Sequence, residues 1–280
     1  MSGILYLVAT PIGNLGDLSP RAVETLQSVN FIAAEDTRVT LKLMNHFGIK
    51  KPLISYFEHN RAQSGEKIVE RLKNGENVAL VSDAGMPAIS DPGEDLVRLC
   101  AREGVTVCCV PGPCAAVSAL AVSGQSTQRF TFEGFINNSG RNRLEHLESL
   151  RNEKRTMLIY EAPHKLMGTL ADLKGVLGGG RELSLCREIT KIYEEVIRTT
   201  LDGALEYYAQ VPPKGEFVLV IKGREEDVEP EMTLRQALDR VNFYRGEGKS
   251  LKQASKLASE DTGYSKNELY NAAVGDERKA

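Results

Sequence analysis

The chain has 280 residues, of which 41% are hydrophobic and 26% are charged. This composition is typical of a soluble globular protein with a sizeable core, and the length suits two domains better than one. No apolar run reaches about 18 residues, so a membrane-spanning helix is not expected. The net charge of −3 gives no global reason to bind nucleic acid, so any RNA contact needs a local basic patch.

The N-terminal segment and the cysteines both indicate the cytoplasm. Residues 1–3 contain no basic region and lead into an apolar run that is too short for a signal peptide. The five cysteines form no CxxC pair, and an odd number favours free thiols in a reducing compartment. The four histidines stand singly, without the spacing of a zinc site, so we expect no bound metal.

The first part of the chain alternates short apolar runs with helical patterns. The runs are residues 4–9, 31–34, 78–81 and 105–110. Such runs, rich in β-branched residues, are typical of parallel strands that are buried on both faces. Ser19 before Pro20 predicts the start of one helix, and Asp91 before Pro92 predicts that of another, with the Asp91 side chain as its cap. The alternation predicts an open α/β sheet with right-handed crossovers.

A polar break at residues 137–141 is expected to be a domain boundary or a mobile loop. Beyond it, a helix is predicted at residues 165–173 and a turn at residues 178–180. Strands are predicted at residues 157–160, 183–186, 196–200 and 217–221. Because the alternation is less regular here, we predict a second α/β domain with a partly antiparallel sheet.

The composition changes again at residue 225. Residues 225–231 form an acidic linker, and Ser265 with Glu268 has the spacing of a capping box. Helices are predicted at residues 234–245, 251–259 and 266–274, in the manner of a small helix-turn-helix. We therefore expect an N-terminal α/β domain at residues 1–124, a second α/β domain at 125–224, and the linker with a helical appendix at 225–280.

Three loops at the ends of predicted strands are rich in glycine and proline. They are residues 10–17, 82–93 and 111–116, with Asp83-Ala84-Gly85-Met86-Pro87 at the centre. One such loop could equally be an ordinary turn, but three at successive strand ends indicate a ligand site, since ligands bind at the carboxyl ends of open α/β sheets. The loops contain no lysine and no phosphate-binding motif, which favours a cationic or zwitterionic ligand over a nucleoside triphosphate.

The order of these loops resembles the tetrapyrrole methylase superfamily. The resemblance is carried by the sequences GNLGD at residues 13–17, DAGMP at 83–87 and VPGP at 110–113. Further blocks resemble, more narrowly, the ribosomal RNA small subunit methyltransferase I family. They are residues 8–17, 34–38, 82–85, 160–164 and 186–191. One departure is that small-molecule members of the superfamily have a GxGxGD first loop, whose first glycine is missing here.

The resemblance implies a homodimeric enzyme of the class III methyltransferase type, with two α/β domains and a cofactor cleft between them. It implies S-adenosylmethionine as methyl donor and the ribose 2′-hydroxyl of a cytidine in the decoding region of small-subunit ribosomal RNA, within the 30S subunit, as acceptor. The implied cofactor contacts are Pro11, Gly13, Leu15, Asp83, Gly85, Met86, Pro113, Cys114, Ala115, Leu158, Tyr160 and Glu216.

Methyl transfer to a hydroxyl depends on alignment and on a general base that removes the proton. The candidate catalytic residues are Asp36, Glu161, Arg187 and Glu188. The first belongs to a block, Glu35-Asp36-Thr37-Arg38, that holds two carboxylates. Glu161 and Glu188 are the first bases to test. Asp36 could instead cap the next helix, Arg187 could form a structural ion pair, and His164 could cap a helix.

The candidate contacts to substrate RNA are basic side chains. They are Arg38, Lys191, Lys249, Lys252 and Lys256. Lys252 and Lys256 stand four residues apart and so share one helix face, which could equally be an ordinary solvated face. Two other functions stay open at this point, a methylase of a small tetrapyrrole or corrin and a non-catalytic RNA-binding protein on the same fold.

Overall fold

The computed structural model describes residues 2–137, 139–225 and 232–277, which belong to two compact units, Met1–Arg224 and Glu225–Ala280. Apart from Glu225, the predicted acidic linker lies outside the described residues. No helix in the described ranges is long and apolar enough to cross a membrane. All five cysteines are free thiols, as predicted.

The first sheet of the larger unit has five parallel strands in the order β3-β2-β4-β1-β5. Its elements are β1 (Ile4–Val8), α1 (Pro20–Ser28), β2 (Phe31–Ala34), α2 (Thr37–His46), β3 (Leu53–Ser55), α3 (Arg61–Lys73), β4 (Val78–Val81), α4 (Glu94–Arg102) and β5 (Thr106–Val110). Helices α1 and α2 cover one face, and α3 and α4 cover the other. The predicted open α/β sheet is confirmed.

The central strands show why the apolar runs are nearly continuous. Every residue of β2 is buried: Phe31 and Ala33 pack in the core beneath α3 and α4, whereas Ile32 and Ala34 pack beneath α1 and α2. Because successive side chains point to opposite faces, a strand between two helical layers must be apolar throughout. The edge strand β3 was not predicted, since it has only three residues and none is fully buried.

One of the two predicted helix starts is confirmed and the other is wrong. The Ser19 hydroxyl accepts a hydrogen bond from the backbone N–H of Ala22, with Pro20 as the first residue of α1. Helix α4 instead begins after Gly93, which takes a φ of 142°. That conformation favours glycine and turns the chain between Asp91 and the helix, so the Asp91 side chain does not cap it.

The second sheet has five strands in the order β6-β7-β10-β8-β9, with β6 parallel to β7 and the other pairs antiparallel. Its elements are α5 (Ala115–Ser123), β6 (Phe130–Phe135), α6 (Gly140–Ser149), β7 (Thr156–Glu161), α7 (Pro163–Leu177), β8 (Glu182–Arg187), β9 (Glu195–Thr200), α8 (Leu201–Gln210) and β10 (Phe217–Ile221). Helices α6, α7 and α8 pack on one face and α5 on the other. The predicted partly antiparallel sheet is confirmed.

Helix α5 joins the two sheets, because it follows β5 and packs on the second sheet. The carbonyl oxygen of Ser123 at its end accepts hydrogen bonds from Ser184 and Arg198, and Gly124 ends the helix with a φ of 82°. Of the polar break at residues 137–141, residues 137 and 139 lie between β6 and α6, residues 140 and 141 begin α6, and residue 138 lies outside the described residues. The division between the two compact units falls after Arg224 and not at this break. The domain limits at 124 and 224 stay predictions.

The smaller unit consists of α9 (Leu234–Gly246), α10 (Leu251–Thr262) and α11 (Lys266–Glu277), as predicted. Capping boxes begin α9 and α10, and the Ser265 hydroxyl accepts from the N–H of Glu268 at the start of α11. Small apolar side chains form its core. They are Ala237, Val241, Ala254, Ala258, Leu269 and Ala273.

Candidate active site

A cavity of about 590 Å³ lies where the carboxyl ends of β2, β4 and β5 face the ends of β6, β7 and β8. It is lined by Ile12, Glu35, Asp83, Ala84, Gly85, Met86, Ile89, Ser90, Asp91, Cys114, Ala115, Phe135, Tyr160, Glu161, Ala162, Pro163, His164, Cys186, Ile189, Glu216, Phe217 and Val218. A cavity of this size at the strand ends is the expected ligand site of an α/β fold.

The three glycine- and proline-rich loops meet at Gly85. Its N–H donates to the carbonyl oxygen of Thr10 at 3.0 Å, and its carbonyl oxygen accepts from the Thr10 N–H at 2.9 Å. A Cβ at Gly85 would lie 3.3 Å from the Ile12 side chain and 3.6 Å from the carbonyl oxygen of Pro113, and its φ is 82°. The left-handed φ and this close approach both favour glycine, and the three loops together form one wall of the cavity.

Carboxylates dominate the polar part of the lining. Glu35, Asp83 and Asp91 follow β2 and β4, and burial is the largest cause that raises the pKa of each. The charge of Asp91 is the next cause for Glu35. Among the described lining residues no lysine or arginine occurs. A site with this charge suits a cation with an apolar body and disfavours a phosphate.

Seven of the predicted cofactor contacts line the cavity. They are Asp83, Gly85, Met86, Cys114, Ala115, Tyr160 and Glu216. The Tyr160 hydroxyl accepts a hydrogen bond from the N–H of Ala116 at 3.0 Å, which ties the second sheet to the start of α5. Burial is the first cause that raises the pKa of Tyr160, to about 12, so this hydroxyl keeps its proton at neutral pH.

The other five predicted contacts do not line the cavity. Pro11 and Gly13 lie beside it in the first loop, Leu15 begins a short 3-10 turn, and Leu158 is completely buried in the core. The carbonyl oxygen of Pro113 would lie 3.6 Å from a Cβ at Gly85. The loops named by the resemblance therefore meet at this cavity, and the tertiary structure decides which of their residues face it. Their contacts with a cofactor stay predictions.

Asp36, a candidate catalytic residue, caps α2, which is the alternative that the sequence left open. Its carboxylate accepts from the Arg38 N–H at 2.8 Å and from the Arg38 guanidinium at 2.6 Å. The side-chain hydrogen bond from Arg38 is the main cause that lowers the pKa of Asp36 to about 2. A carboxylate held in this way is a weak base, and the Arg38 guanidinium is already paired.

Glu161 lines the cavity, but its side chain is only 4% exposed and both of its oxygens are occupied. One accepts from the N–H of Ala162 at 2.8 Å, and the other accepts from the Thr169 hydroxyl at 2.5 Å. Thr169 in turn accepts from Arg143. The carboxylate therefore holds the end of β7 against α7. His164 also lines the cavity and does not cap α7, whose cap is Ala162.

Glu188 and Arg187 lie at the end of β8, outside the lining. The Glu188 carboxylate accepts from the Lys191 ammonium at 2.8 Å and from the Glu216 N–H at 2.9 Å, and its pKa is lowered. Lys191 also pairs with the Glu216 carboxylate at 2.9 Å, and its stem lies against Gly13. Arg187 pairs with Glu195 at 3.1 Å. Among the described residues, these groups form a charged network beside the cavity.

Sequence reasoning missed several residues that line the cavity. Glu35 lay in the block from which Asp36 was chosen, and both are carboxylates at the end of β2. The sequence predicts Asp91 as a helix cap, which gives no sign that it lines the cavity. Phe135 stood in a strand that was not predicted, so its position had no signal.

The three lysines predicted to contact RNA in the smaller unit are exposed. Lys252 and Lys256 lie on α10, and Lys249 precedes it. The Lys256 ammonium is 3.9 Å from the Glu260 carboxylate, a long contact between two exposed side chains. Such a pair is too weak to keep the lysine from another anion.

The fold and the loops agree with comparisons to known proteins. A family model described as tetrapyrrole (corrin/porphyrin) methylases matches residues 4–204, and a model described as the RsmI C-terminal HTH domain matches residues 247–277. Among solved structures, a diphthine synthase has a TM-score of 0.63 at 13% identity, covering 79% of this chain and 90% of its own. A cobalt precorrin-4 methyltransferase has a TM-score of 0.55 at 20% identity, covering 78% and 94%. These two show the fold alone.

Relatives named ribosomal RNA small subunit methyltransferase I are much more similar in sequence. The one from Synechocystis sp. is 47% identical, covering 97% of this chain and 98% of its own. The one from Bacillus subtilis is 45% identical, covering 96% and 94%. The predicted fold class and the resemblance are both confirmed. The chain belongs to the tetrapyrrole methylase family and, within it, to the ribosomal RNA small subunit methyltransferase I family.

Proposed function

We propose that this methyltransferase transfers a methyl group from S-adenosylmethionine to the ribose 2′-hydroxyl of a cytidine in the decoding region of small-subunit ribosomal RNA. The relatives' shared name supports the RNA substrate, and family membership implies a methyl donor. The observation that carries the proposal is the acidic cavity at the strand ends, where three loops converge on Gly85. We also expect a homodimer in the cytoplasm, acting on the 30S subunit.

The residues present fit S-adenosylmethionine. Its adenosine needs apolar surface, which Ile12, Met86 and Ala115 offer, and its two positive charges need carboxylates, which Asp83 and Asp91 offer. When bound, this donor supplies a methyl group on a positively charged sulfur. The pKa values of Glu35, Asp83 and Asp91 are raised in the cavity, chiefly by burial. A bound cation would stabilise their ionised forms and so lower these pKa values.

Glu35 is the best-placed base for the ribose hydroxyl. It lines the cavity, and within the described part of the chain its carboxylate accepts one long hydrogen bond, of 3.4 Å, from the N–H of Asp83. Burial and the charge of Asp91 raise the pKa of Glu35, which makes its carboxylate a stronger proton acceptor than an exposed one. Glu161 and Glu188 remain candidates, but their oxygens already accept strong hydrogen bonds.

The negative charge of the cavity suits binding of the donor but not binding of the RNA phosphates. Because its described lining contains carboxylates and no lysine or arginine, the phosphates on either side of the target ribose are repelled from it. They need basic side chains elsewhere on the enzyme. The exposed Lys249, Lys252 and Lys256 are the candidates, and such contacts make RNA binding weaken with added salt.

The test is methyl transfer from labelled S-adenosylmethionine to three acceptors: 30S subunits, free small-subunit RNA, and a tetrapyrrole precursor. Mass spectrometry of the digested RNA then identifies the modified nucleoside. We expect one 2′-O-methylcytidine and no label on the tetrapyrrole. Label on the tetrapyrrole instead would refute the RNA assignment. Binding of the donor without transfer to any acceptor would indicate a non-catalytic RNA-binding protein.

A further inference from the structure

Strand β6 contains a bulge next to the cavity. Phe132 pairs with Leu158 and Gly134 with Ile159, so Glu133 is an extra residue between them, and Phe135 then pairs with Tyr160. Bulges are rare between parallel strands and occur preferentially beside active sites, where they redirect a side chain.

The bulge changes the face to which Phe135 points. In a regular strand Phe132 and Phe135 would lie on opposite faces, because they are three residues apart. Here both rings contact Tyr160, with centroid distances of 5.0 Å for Phe132 and 5.6 Å for Phe135, each edge to face. The extra residue therefore brings a second aromatic ring to the wall of the cavity.

Gly134 is the residue that makes the bulge possible. Its φ is 62°, in the left-handed region, and a Cβ there would lie 3.1 Å from the Ser90 hydroxyl oxygen. Ser90 belongs to the loop after β4, which also lines the cavity, and it has a φ of 59° itself. Two unusual backbone conformations thus meet where the bulge faces this loop.

The Phe135 side chain remains 55% exposed, more than any other large apolar side chain in the described lining. Its partner Tyr160 is held in place, since the Tyr160 hydroxyl accepts from the Ala116 N–H. The Phe135 ring is packed against Tyr160 at one edge, and the rest of its surface is open to the acidic cavity. Such a surface can stack against a planar, uncharged ring. A nucleobase is such a ring.

We propose that Phe135 is a stacking platform for the base of the target nucleotide, and that the bulge at Glu133 exists to present it. This inference rests on the proposed function. The base must leave the stack for its ribose to enter the cavity, and a protein aromatic side chain compensates for the lost stacking. We assign the target base to this ring, and not the adenine of the donor. Phe135 is the most exposed large apolar side chain of the described lining, so a nucleotide that enters from solvent contacts it first.

The first experiment measures kinetics on 30S subunits. Base stacking on an aromatic side chain accounts for about 1–3 kcal/mol, so Phe135→Ala should lower kcat/KM for RNA by roughly 5- to 150-fold while the Kd for S-adenosylmethionine is unchanged. Phe135→Tyr keeps the ring and should restore most of the rate. Phe135→Leu keeps only apolar area and should not. Phe130→Ala is the matched control, since Phe130 begins the same strand, is 41% exposed and does not line the cavity.

The second experiment uses the absence of tryptophan from the chain. Phe135→Trp therefore creates a single tryptophan, which can be excited separately from the nine tyrosines. Its fluorescence should be quenched by target RNA and not by S-adenosylmethionine alone. Phe130→Trp should respond to neither. Quenching by the donor alone, or a weakened Kd for the donor in Phe135→Ala, would overturn the assignment in favour of the adenine.

Full activity in Phe135→Ala, or in Phe135→Leu, would equally overturn the stacking role. These failures leave methylation of RNA by the unaltered enzyme intact. Absence of that methylation would instead mean that the proposed function has failed.

Discussion

Replacing Glu35 by glutamine removes the proposed base with little change in shape. A general base contributes roughly 10²- to 10⁴-fold, so kcat for methyl transfer should fall by that factor, or about 2.7–5.5 kcal/mol. The structure indicates that little else is lost. The hydrogen bond from the Asp83 N–H is 3.4 Å long, and the glutamine oxygen can still accept it.

Stability gives an independent check on the same variant. Burial and the charge of Asp91 raise the pKa of Glu35, so the ionised carboxylate is disfavoured in the folded protein. Glutamine removes that charge, and the midpoint of thermal unfolding at neutral pH should therefore stay level or rise. If Glu35→Gln methylates slowly and unfolds at a lower temperature, the substitution has disturbed the structure. If it methylates slowly but is as stable as the wild type, it has lost the general base.

The assay is single-turnover methylation of 30S subunits across pH, with calorimetry for the donor. Glu35 must be ionised to accept a proton, so the wild-type rate should rise with pH through a pKa above that of an ordinary glutamate, and Glu35→Gln should lose this rise. An unchanged rate would refute the assignment. So would a larger fall in Asp36→Asn, Glu161→Gln or Glu188→Gln, which test the competing carboxylates.

Three further predictions concern the backbone, the acidic cavity and the smaller unit. Gly93→Ala combines a φ of 142° with a Cβ only 2.7 Å from a neighbouring side chain, so unfolding should become easier by about 2–6 kcal/mol in calorimetry. Gly104→Ala, with a φ of 67° and nothing within 4 Å, isolates the backbone part, and an equal loss there would refute the crowding. Burial raises the pKa of Asp91, so the folded state binds that proton more tightly and stability falls as pH rises from the ordinary aspartate pKa through the raised one. Asp91→Asn should therefore raise the unfolding midpoint at pH 7, with the gain vanishing in acid; a gain of equal size at every pH would show another cause. Replacing Lys252 and Lys256 by alanine should reduce the salt slope of RNA binding by about 1.4–1.8, and an unaltered slope would mean an ordinary solvated helix face.

The sequence was sufficient for the elements whose local signal is strong. Strands β2 and β4 were predicted at their observed limits, because each lies between two helical layers and must be apolar at every position. The three helices of the smaller unit were also predicted, since their caps are encoded within four residues. The edge strands β3 and β6 are not predicted, because none of their residues is fully buried.

The three glycine- and proline-rich loops show most clearly what the sequence can predict and what it cannot. Their glycines and prolines predicted a ligand site, and the family resemblance indicated what it binds. The sequence could not distinguish Glu35 from Asp36, two adjacent carboxylates of the same type. The choice depends on Arg38, which pairs with the Asp36 carboxylate, and on Asp83 and Asp91, which belong to another loop.

Composition and periodicity by themselves thus determined the parallel sheet, the helical appendix and the chemistry of the three loops. Only the tertiary structure decided which side chains face the cavity. Burial, hydrogen-bond partners and the extra residue at Glu133 are set by segments distant in the chain. The physical reason is the distance along the chain over which each effect acts. Apolar pattern and helix capping act within a few residues, whereas the pKa of Glu35 depends on burial and on Asp91, and the direction of Phe135 depends on Tyr160, partners that are distant in sequence.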